Sequence, residues 1–579
     1  MRSGLSLRRR CPMPQSQSQT VAARLAAALR RHDVDVIFGQ SLPSALILAA
    51  EDIGIRQVVY RTENAGGAMA DDYARTTGKI GIVTAQNGPA ATLLVPPFAE
   101  ALKASIPLLG LVQEVERSMA DRNAFQELDH FKLFEGSTKW VRRLSDPARV
   151  DDYVDMAIMA AISGRPGPAV LLLPADLLKE PAEPLPHQRS MSLGHWPFDR
   201  PRADTRSIAI AAEKIANARH PVMIAGGGVH GSCAASAFAQ LQDVAHLPVG
   251  YTMMGKGSVS DLHPLTLGLL GNVVGKLSLG RLTKPIVDEA DVVLLVGTRT
   301  NQNATNNWTS IPRDASVIHI DVDPEEIGRT YEADVRLVGD ARATIEELTA
   351  ELRGRDLTPR LAARDGIAER IARAKRDWRT ETEYLWASDA TPLRPERIMA
   401  ELARVISPDT TVVADASYSS VWINSCLQAQ SIGQRFLAPR GLAGLGWGYP
   451  MALGVQAGHR DKTVVSVVGD GGFGHCWSEL ETAVRMNLPV ILIVLNNSVL
   501  GFQKDAETVK FGRYTSACHF NAVDHAAIAR ACGVEGYRVE SAAELAERLD
   551  HAIKVRRPVL LDVITDPSAF PPISLFDAL

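Results

Sequence analysis

The stretch Thr463–Gln503, TVVSVVGDGGFGHCWSELETAVRMNLPVILIVLNNSVLGFQ, decides the fold. It opens on a β-branched apolar run, Thr463–Val468, which reads as a buried strand. Gly469-Asp470-Gly471-Gly472 follows, a turn that glycine makes easily. Phe473–Met486 carries helical spacing at Trp477, Leu480 and Val484, and Asn487-Leu488-Pro489 stops it. Val490–Leu495 reads as a second buried strand ending in Asn496-Asn497. The unit is therefore βαβ. A right-handed crossover sets its two strands parallel, with their carboxyl ends at one edge. Open α/β sheets bind ligands at that edge. Asp470 and Asn497 stand 27 positions apart, yet this topology lets both reach one small ion.

A carboxylate and an amide oxygen are hard donors, suited to Mg²⁺ or Ca²⁺ rather than zinc. Two side chains do not fill an octahedron, so a backbone carbonyl, water and phosphate oxygens would complete it. The glycines beside Asp470 let backbone N–H groups approach a phosphate at a helix start. The stretch reads as a magnesium-diphosphate site. The bland alternative is an ordinary βαβ turn with a capping Asp and a turn Asn pair.

Composition bounds the rest. The 579 residues suit three domains, and 46% apolar with 22% charged content describes a globular protein. A net charge of −4 gives no reason to expect nucleic-acid binding. The six cysteines show no CxxC pairing, which fits a reducing cytoplasm. No apolar run approaches the roughly 20 residues that cross a bilayer, so no membrane partner is expected. Residues 1–19, basic then Gln/Ser-rich, read as a disordered tail. Strand and helix patterns alternate through 20–190, 205–350 and 393–567, which predicts three doubly wound parallel-sheet domains. A proline-rich linker near Pro181–Pro186, a charged helical linker over 351–392 and a proline-rich tail over 568–579 separate or follow them.

At Gly469–Gly472 and Asn497 the sequence resembles the thiamine diphosphate (ThDP) enzymes, whose cofactor motif is GDG, a gap, then NN. The resemblance implies that Gly469, Asp470, Gly471, Gly472 and Asn497 hold the diphosphate. Asp470, Asn497 and the carbonyl of Val499 are the implied Mg²⁺ ligands. Upstream, RTENAGGAMADDYAR (61–75) is similar to the acetolactate synthase branch of that superfamily. Read locally, Glu63 is a solvated acid at a strand end and helix start. The resemblance instead makes it the acid that hydrogen-bonds the cofactor's aminopyrimidine ring nitrogen. Asn123–Glu127 resembles that branch's AFQE segment and implies Gln126 at the active-site mouth. Gly441–Pro450 resembles its GLGxMGxGLP stretch and puts Leu445 where a bulky apolar residue bends the cofactor; core packing is the other reading. Ser417, Tyr418 and Ser419 fall where relatives contact the diphosphate, through hydroxyls in this chain.

Three stretches depart from acetolactate synthases. Ser41-Leu42-Pro43-Ser44 replaces a Pro-Gly-Gly loop, Ala506 stands in place of a specificity Trp, and Thr298–Asn303 replaces an RFDDR-like segment. The central domain, with Gly226-Gly227-Gly228 after a strand, is left open to FAD, ADP or nothing. The expectation is a ThDP- and Mg²⁺-dependent decarboxylase/carboligase of 2-oxo acids. A 2-hydroxyacyl-CoA lyase or oxalyl-CoA decarboxylase-like enzyme acting on an acyl-CoA, and a catalytically silent paralogue, are the alternatives. The family builds each site from two subunits, which implies a homodimer or homotetramer.

Overall fold

A computed structural model describes residues 19–183, 189 and 191–579. Residues 1–18 of the expected N-terminal tail and part of the Pro181–Pro186 linker fall outside these residues; Gln19, expected in the tail, instead pairs with Ala182 in a two-residue antiparallel ladder. Three six-stranded sheets carry the molecule, each wholly parallel.

The first sheet contains β1 (Val36–Phe38), β2 (Arg56–Val58), β3 (Gly81–Ala85), β4 (Leu108–Glu114), β5 (Trp140–Arg143) and β6 (Ala169–Pro174). Their spatial order is 2-1-3-4-6-5. The second contains β7 (Pro221–Ala225), β8 (Val249–Tyr251), β9 (Thr266–Leu269), β10 (Val292–Val296), β11 (Ser316–Asp321) and β12 (Val335–Val338). Its order is 9-8-7-10-11-12, which is the dinucleotide-fold order 3-2-1-4-5-6. The third contains β13 (Thr411–Ala414), β14 (Phe436–Leu437), β15 (Val464–Gly469), β16 (Ile491–Asn496), β17 (Glu535–Val539) and β18 (Val559–Ile564). Its order, 14-13-15-16-18-17, repeats that of the first sheet strand for strand.

Central strands such as Val464–Val468 and Ile491–Val494 are buried throughout, as near-continuous β-branched runs require when helices cover both faces of a sheet. Helix α1 (Glu63–Thr77) of the first domain packs on α2 (Pro89–Ala104) and on α3 (Gly448–Gly458) of the third. Small residues permit this approach: a Cβ on Gly454 would lie 2.0 Å from the Met69 carbonyl oxygen, and one on Gly67 would lie 2.5 Å from the Pro97 ring. One hydrophobic core consequently runs through the first and third domains. The charged linker is a single helix, Thr358–Trp386, mostly exposed, with Ile371, Ala374 and Trp386 turned inward.

The structure corrects two local readings. Phe473–Met486 is not one helix. A short helix, α4 (Asp470–Phe473), and α5 (Glu479–Arg485) are separated by tight turns in which Cys476 N–H bonds Phe473 C=O and Glu479 N–H bonds Cys476 C=O. Leu480 and Ala483 face the core, whereas Val484 is exposed. Glu63 is the first residue of α1, capped by Thr62, whose hydroxyl accepts the Ala65 N–H at 3.3 Å; it does not end a strand. The proline-rich tail is docked on the body of the molecule. The Ser574 N–H bonds Asn272 C=O, the Lys276 N–H bonds Asp577, and Phe576 is buried against Tyr418 and Phe502.

Candidate active site

Strands β13, β15 and β16 are neighbours in the third sheet. The residues following them, Asp415, Asp470 and Asn497, therefore emerge side by side at one sheet edge. Asp470 is 8% exposed. Its Oδ1 accepts the Gly471 N–H at 2.9 Å and its Oδ2 accepts the Ser498 N–H at 2.6 Å, tying the loop after β15 to the loop after β16. Burial pushes its pKa up to about 6, only partly countered by those N–H groups. Among the described residues no Lys or Arg forms an ion pair with it.

Asn496 and Asn497 divide their work. Asn496 is buried, and its amide donates to Val523 C=O at 2.9 Å and Asp562 Oδ1 at 2.8 Å, which is structural. Asn497 is half-exposed, and its Oδ1 accepts the Val499 N–H at 3.1 Å. The Val499 carbonyl accepts the Gly501 N–H at 3.0 Å and keeps a second lone pair. A desolvated carboxylate without a cation, an amide oxygen and a carbonyl suit a hard divalent ion. No group of three His, Cys, Asp or Glu side chains is placed to hold a metal ion among the described residues. An ion held here would thus keep places for water and phosphate.

Beside this set, helix α6 (Tyr418–Cys426) begins at Ser417, whose φ of 67° and ψ of −144° are a strained conformation for a residue with a Cβ. Two of the three hydroxyls expected to meet the diphosphate are already committed. Tyr418 Oη donates to Asp505 Oδ2 at 2.6 Å, and Ser419 Oγ donates to the carbonyls of Asp415 and Ala416. The first-turn N–H groups of the helix, together with Ser417, are what face an anion.

Leu445 is 36% exposed, so it is not core. It sits in the loop Gly441–Trp447, next to Gly446 at φ +83°, where a Cβ would meet His475 at 2.6 Å. Glu63 is half-buried, and burial raises its pKa. The indole N–H of Trp447 donates to Asn64 Oδ1 at 3.0 Å, so the Leu445 loop and the start of α1 touch within the chain. Gln126 has φ 61° and its Oε1 accepts from Gln86 at 2.9 Å. Its carbonyl accepts from Asn87 at 3.0 Å, which sets it on the turn after β3, beside the 84% exposed Phe125.

Three buried acids were missed by the sequence reading. Glu479 is fully buried and its carboxylate accepts the Arg61 and Thr62 N–H groups at 3.2 Å and the Thr482 hydroxyl at 2.7 Å. Burial raises its pKa. It pins the two residues before Glu63 from the third domain. Asp415 and Glu100 hold the Leu445 loop in the same way. Nothing in the sequence separates Glu479 from the partly exposed Glu481 two positions later.

In the central domain a cavity of about 470 Å³ opens at the carboxyl ends of β7 and β10, between Gly227-Gly228, Thr298 and Asp321. Gly226 and Gly228 approach Gly297 too closely for any side chain. Arg165 also reaches this wall and pairs with Glu326 at 2.9 Å and Asp323 at 3.4 Å. The desolvating surroundings of Asp321 push its pKa up to about 6 although some of its surface meets the cavity.

Comparison with known proteins agrees with this layout. Residues 19–133 match the N-terminal TPP binding domain of thiamine pyrophosphate enzymes, 208–348 the central domain and 415–563 the C-terminal TPP binding domain. The molecule is thus a thiamine diphosphate-dependent enzyme. It is 30% identical to a probable acetolactate synthase large subunit of Methanococcus aeolicus, over 95% of this chain and 92% of that one. It is 31% identical to the acetolactate synthase large subunit of Parasynechococcus marenigrum, over 94% and 88%. It is 30% identical to the isozyme 3 large subunit of Escherichia coli, over 89% of each. The chain belongs to the acetolactate synthase-like family of these enzymes. No helix among the described residues is long and apolar enough to cross a membrane.

Proposed function

We propose that this enzyme decarboxylates a small 2-oxo acid and joins the remaining fragment to a second carbonyl compound, using ThDP held through Mg²⁺. The observation that carries the reading is the meeting of Asp470, Asn497 and the open start of α6 at one sheet edge, with Leu445 exposed nearby. Bound ThDP would supply an electron sink next to the substrate carbonyl. Asp470, Asn497 and the Val499 carbonyl would hold the ion, and the N–H groups of Gly471, Gly472 and the first turn of α6 would meet the diphosphate. Glu63, whose raised pKa favours the protonated form, would hold a proton at the pyrimidine ring nitrogen. Leu445 would press on the middle of the cofactor, and Gln126 would meet substrate at the mouth. Glu63 of one chain and Asp470 of another would complete each site, in a homodimer or homotetramer.

Incubation with pyruvate, glyoxylate, oxalyl-CoA or a 2-hydroxyacyl-CoA, each with ThDP and Mg²⁺ and read by mass spectrometry, tests the substrate class. Carboligation products from the 2-oxo acids are expected; turnover of the CoA thioesters alone would overturn the reading. The central cavity, its strand order and its glycine wall support a bound nucleotide, FAD or ADP. A flavin absorbance in the purified protein separates the two.

A further inference from the structure

The loop Gly441–Trp447 has no regular structure, yet buried carboxylates take most of its N–H groups. Glu100, near the end of α2, is 2% exposed and accepts the N–H groups of Gly441 at 2.6 Å, Leu442 at 2.5 Å and Ala443 at 3.3 Å. Asp415 is 1% exposed and accepts those of Gly446 at 2.9 Å, Trp447 at 3.1 Å and Gly448 at 3.1 Å. Only Gly444 and Leu445 lie between the two sets. Hydrogen bonds to a charged acceptor are the strong kind, and each is stronger still away from water. Contact is close on both sides. A Cβ on Gly441 would lie 2.4 Å from the Glu100 carbonyl oxygen, and one on Gly472 would lie 2.0 Å from Asp415 Oδ2. Arg75 stands 3.6 Å from Glu100 and is shared with Asp71 and Asp72, which it meets more closely.

Packing holds one end of the loop, where Trp447 is buried in the core, but Leu442 and Leu445 are both exposed, so apolar burial does not fix the stretch that carries Leu445. We infer that Glu100 and Asp415 are positioning residues, a two-carboxylate clamp that sets the height at which Leu445 presses on the cofactor. Glu100 does so from the first domain and Asp415 from the edge of the third sheet. The inference rests on the role proposed for Leu445. The clamp makes no contact with the reacting atoms, and diphosphate anchorage by Asp470 and Asn497 does not depend on Glu100.

The test compares Glu100→Gln with Leu445→Ala in the full chain with ThDP and Mg²⁺. Glu100→Gln is isosteric, but its amide NH₂ faces backbone N–H groups and cannot accept them. Two quantities are measured: the ThDP Kd by calorimetry, and the rate at which the thiazolium C2 proton of bound ThDP exchanges with D₂O, by NMR after acid quench. Glu100→Gln is expected to keep the Kd within about threefold and to slow exchange by about tenfold or more. Leu445→Ala should slow exchange too. If Glu100→Gln fails to fold, Glu100→Asp keeps the charge beside Arg75, lengthens all three contacts and should slow exchange to a lesser degree. Parental exchange in whichever Glu100 variant folds, with Leu445→Ala slow, overturns the clamp and leaves the role of Leu445 standing. Parental exchange in Leu445→Ala removes that role and the clamp with it.

Discussion

Glu479→Ala probes the strut by which the third domain holds the backbone just before Glu63. In the parent, one fully buried carboxylate satisfies the N–H groups of Arg61 and Thr62 and the Thr482 hydroxyl. Truncation leaves two partly buried N–H groups unpaired, at up to about 1–3 kcal/mol each, and a void beside them. Relief of the desolvated charge returns part of this, because burial already disfavours the ionised form. The net loss should be about 2–4 kcal/mol. Glu479→Gln keeps one acceptor oxygen, and the Thr482 hydroxyl can turn to accept the new NH₂, so it should cost only about 1 kcal/mol. Urea unfolding followed by circular dichroism reads the difference between the two variants. Turnover should fall with it, because the released backbone carries Glu63 on the next residue. Unfolding midpoints and turnover equal to the parent's in Glu479→Ala would refute the reasoning.

Asp470→Ala should abolish Mg²⁺-dependent ThDP retention in calorimetry while the chain stays folded; tight retention would move the anchor elsewhere. Asp321 has a folded pKa of about 6, above its unfolded value of 3.8. The folded state therefore binds the extra proton between those values, and the stability this confers is lost as pH rises through about 6. Asp321→Asn, which can still accept the Asp323 N–H, should raise the melting temperature at pH 7 and leave it unchanged near pH 3. An equal effect at both pH values would contradict the assignment.

Much of the fold was legible because its signals are local. Val464–Val468 and Ile491–Val494 are β-branched runs that only a covered parallel sheet accommodates, and glycine turns mark their exits. Asp470 and Asn497 were legible for the same reason: topology carries residues at strand ends to one edge. The central order 3-2-1-4-5-6 was not legible, since strand order is set by crossovers and not by strand composition. The helix break at residues 474–478 was masked by helical spacing that continues across it. Glu100, Asp415 and Glu479 were invisible because an acid reads as solvated until its partners are known. Those partners are backbone N–H groups that carry no sequence signature and, for Glu100 and Glu479, lie hundreds of positions away. The hydroxyls of Tyr418 and Ser419 show the same limit: a hydroxyl beside a site was visible, the acceptor that already held it was not.

The central claim is that Glu63 and Asp470 serve the two ends of one ThDP, supplied by two chains. Mixing Glu63→Gln and Asp470→Ala chains, each inactive alone, and letting them reassociate with ThDP and Mg²⁺ tests it directly. Each mixed dimer would hold one intact site and one doubly damaged site, so activity should return to about a quarter of the parent's after random pairing. Mixed dimers that form, as shown by differently tagged chains, yet remain as inactive as their parents would contradict it.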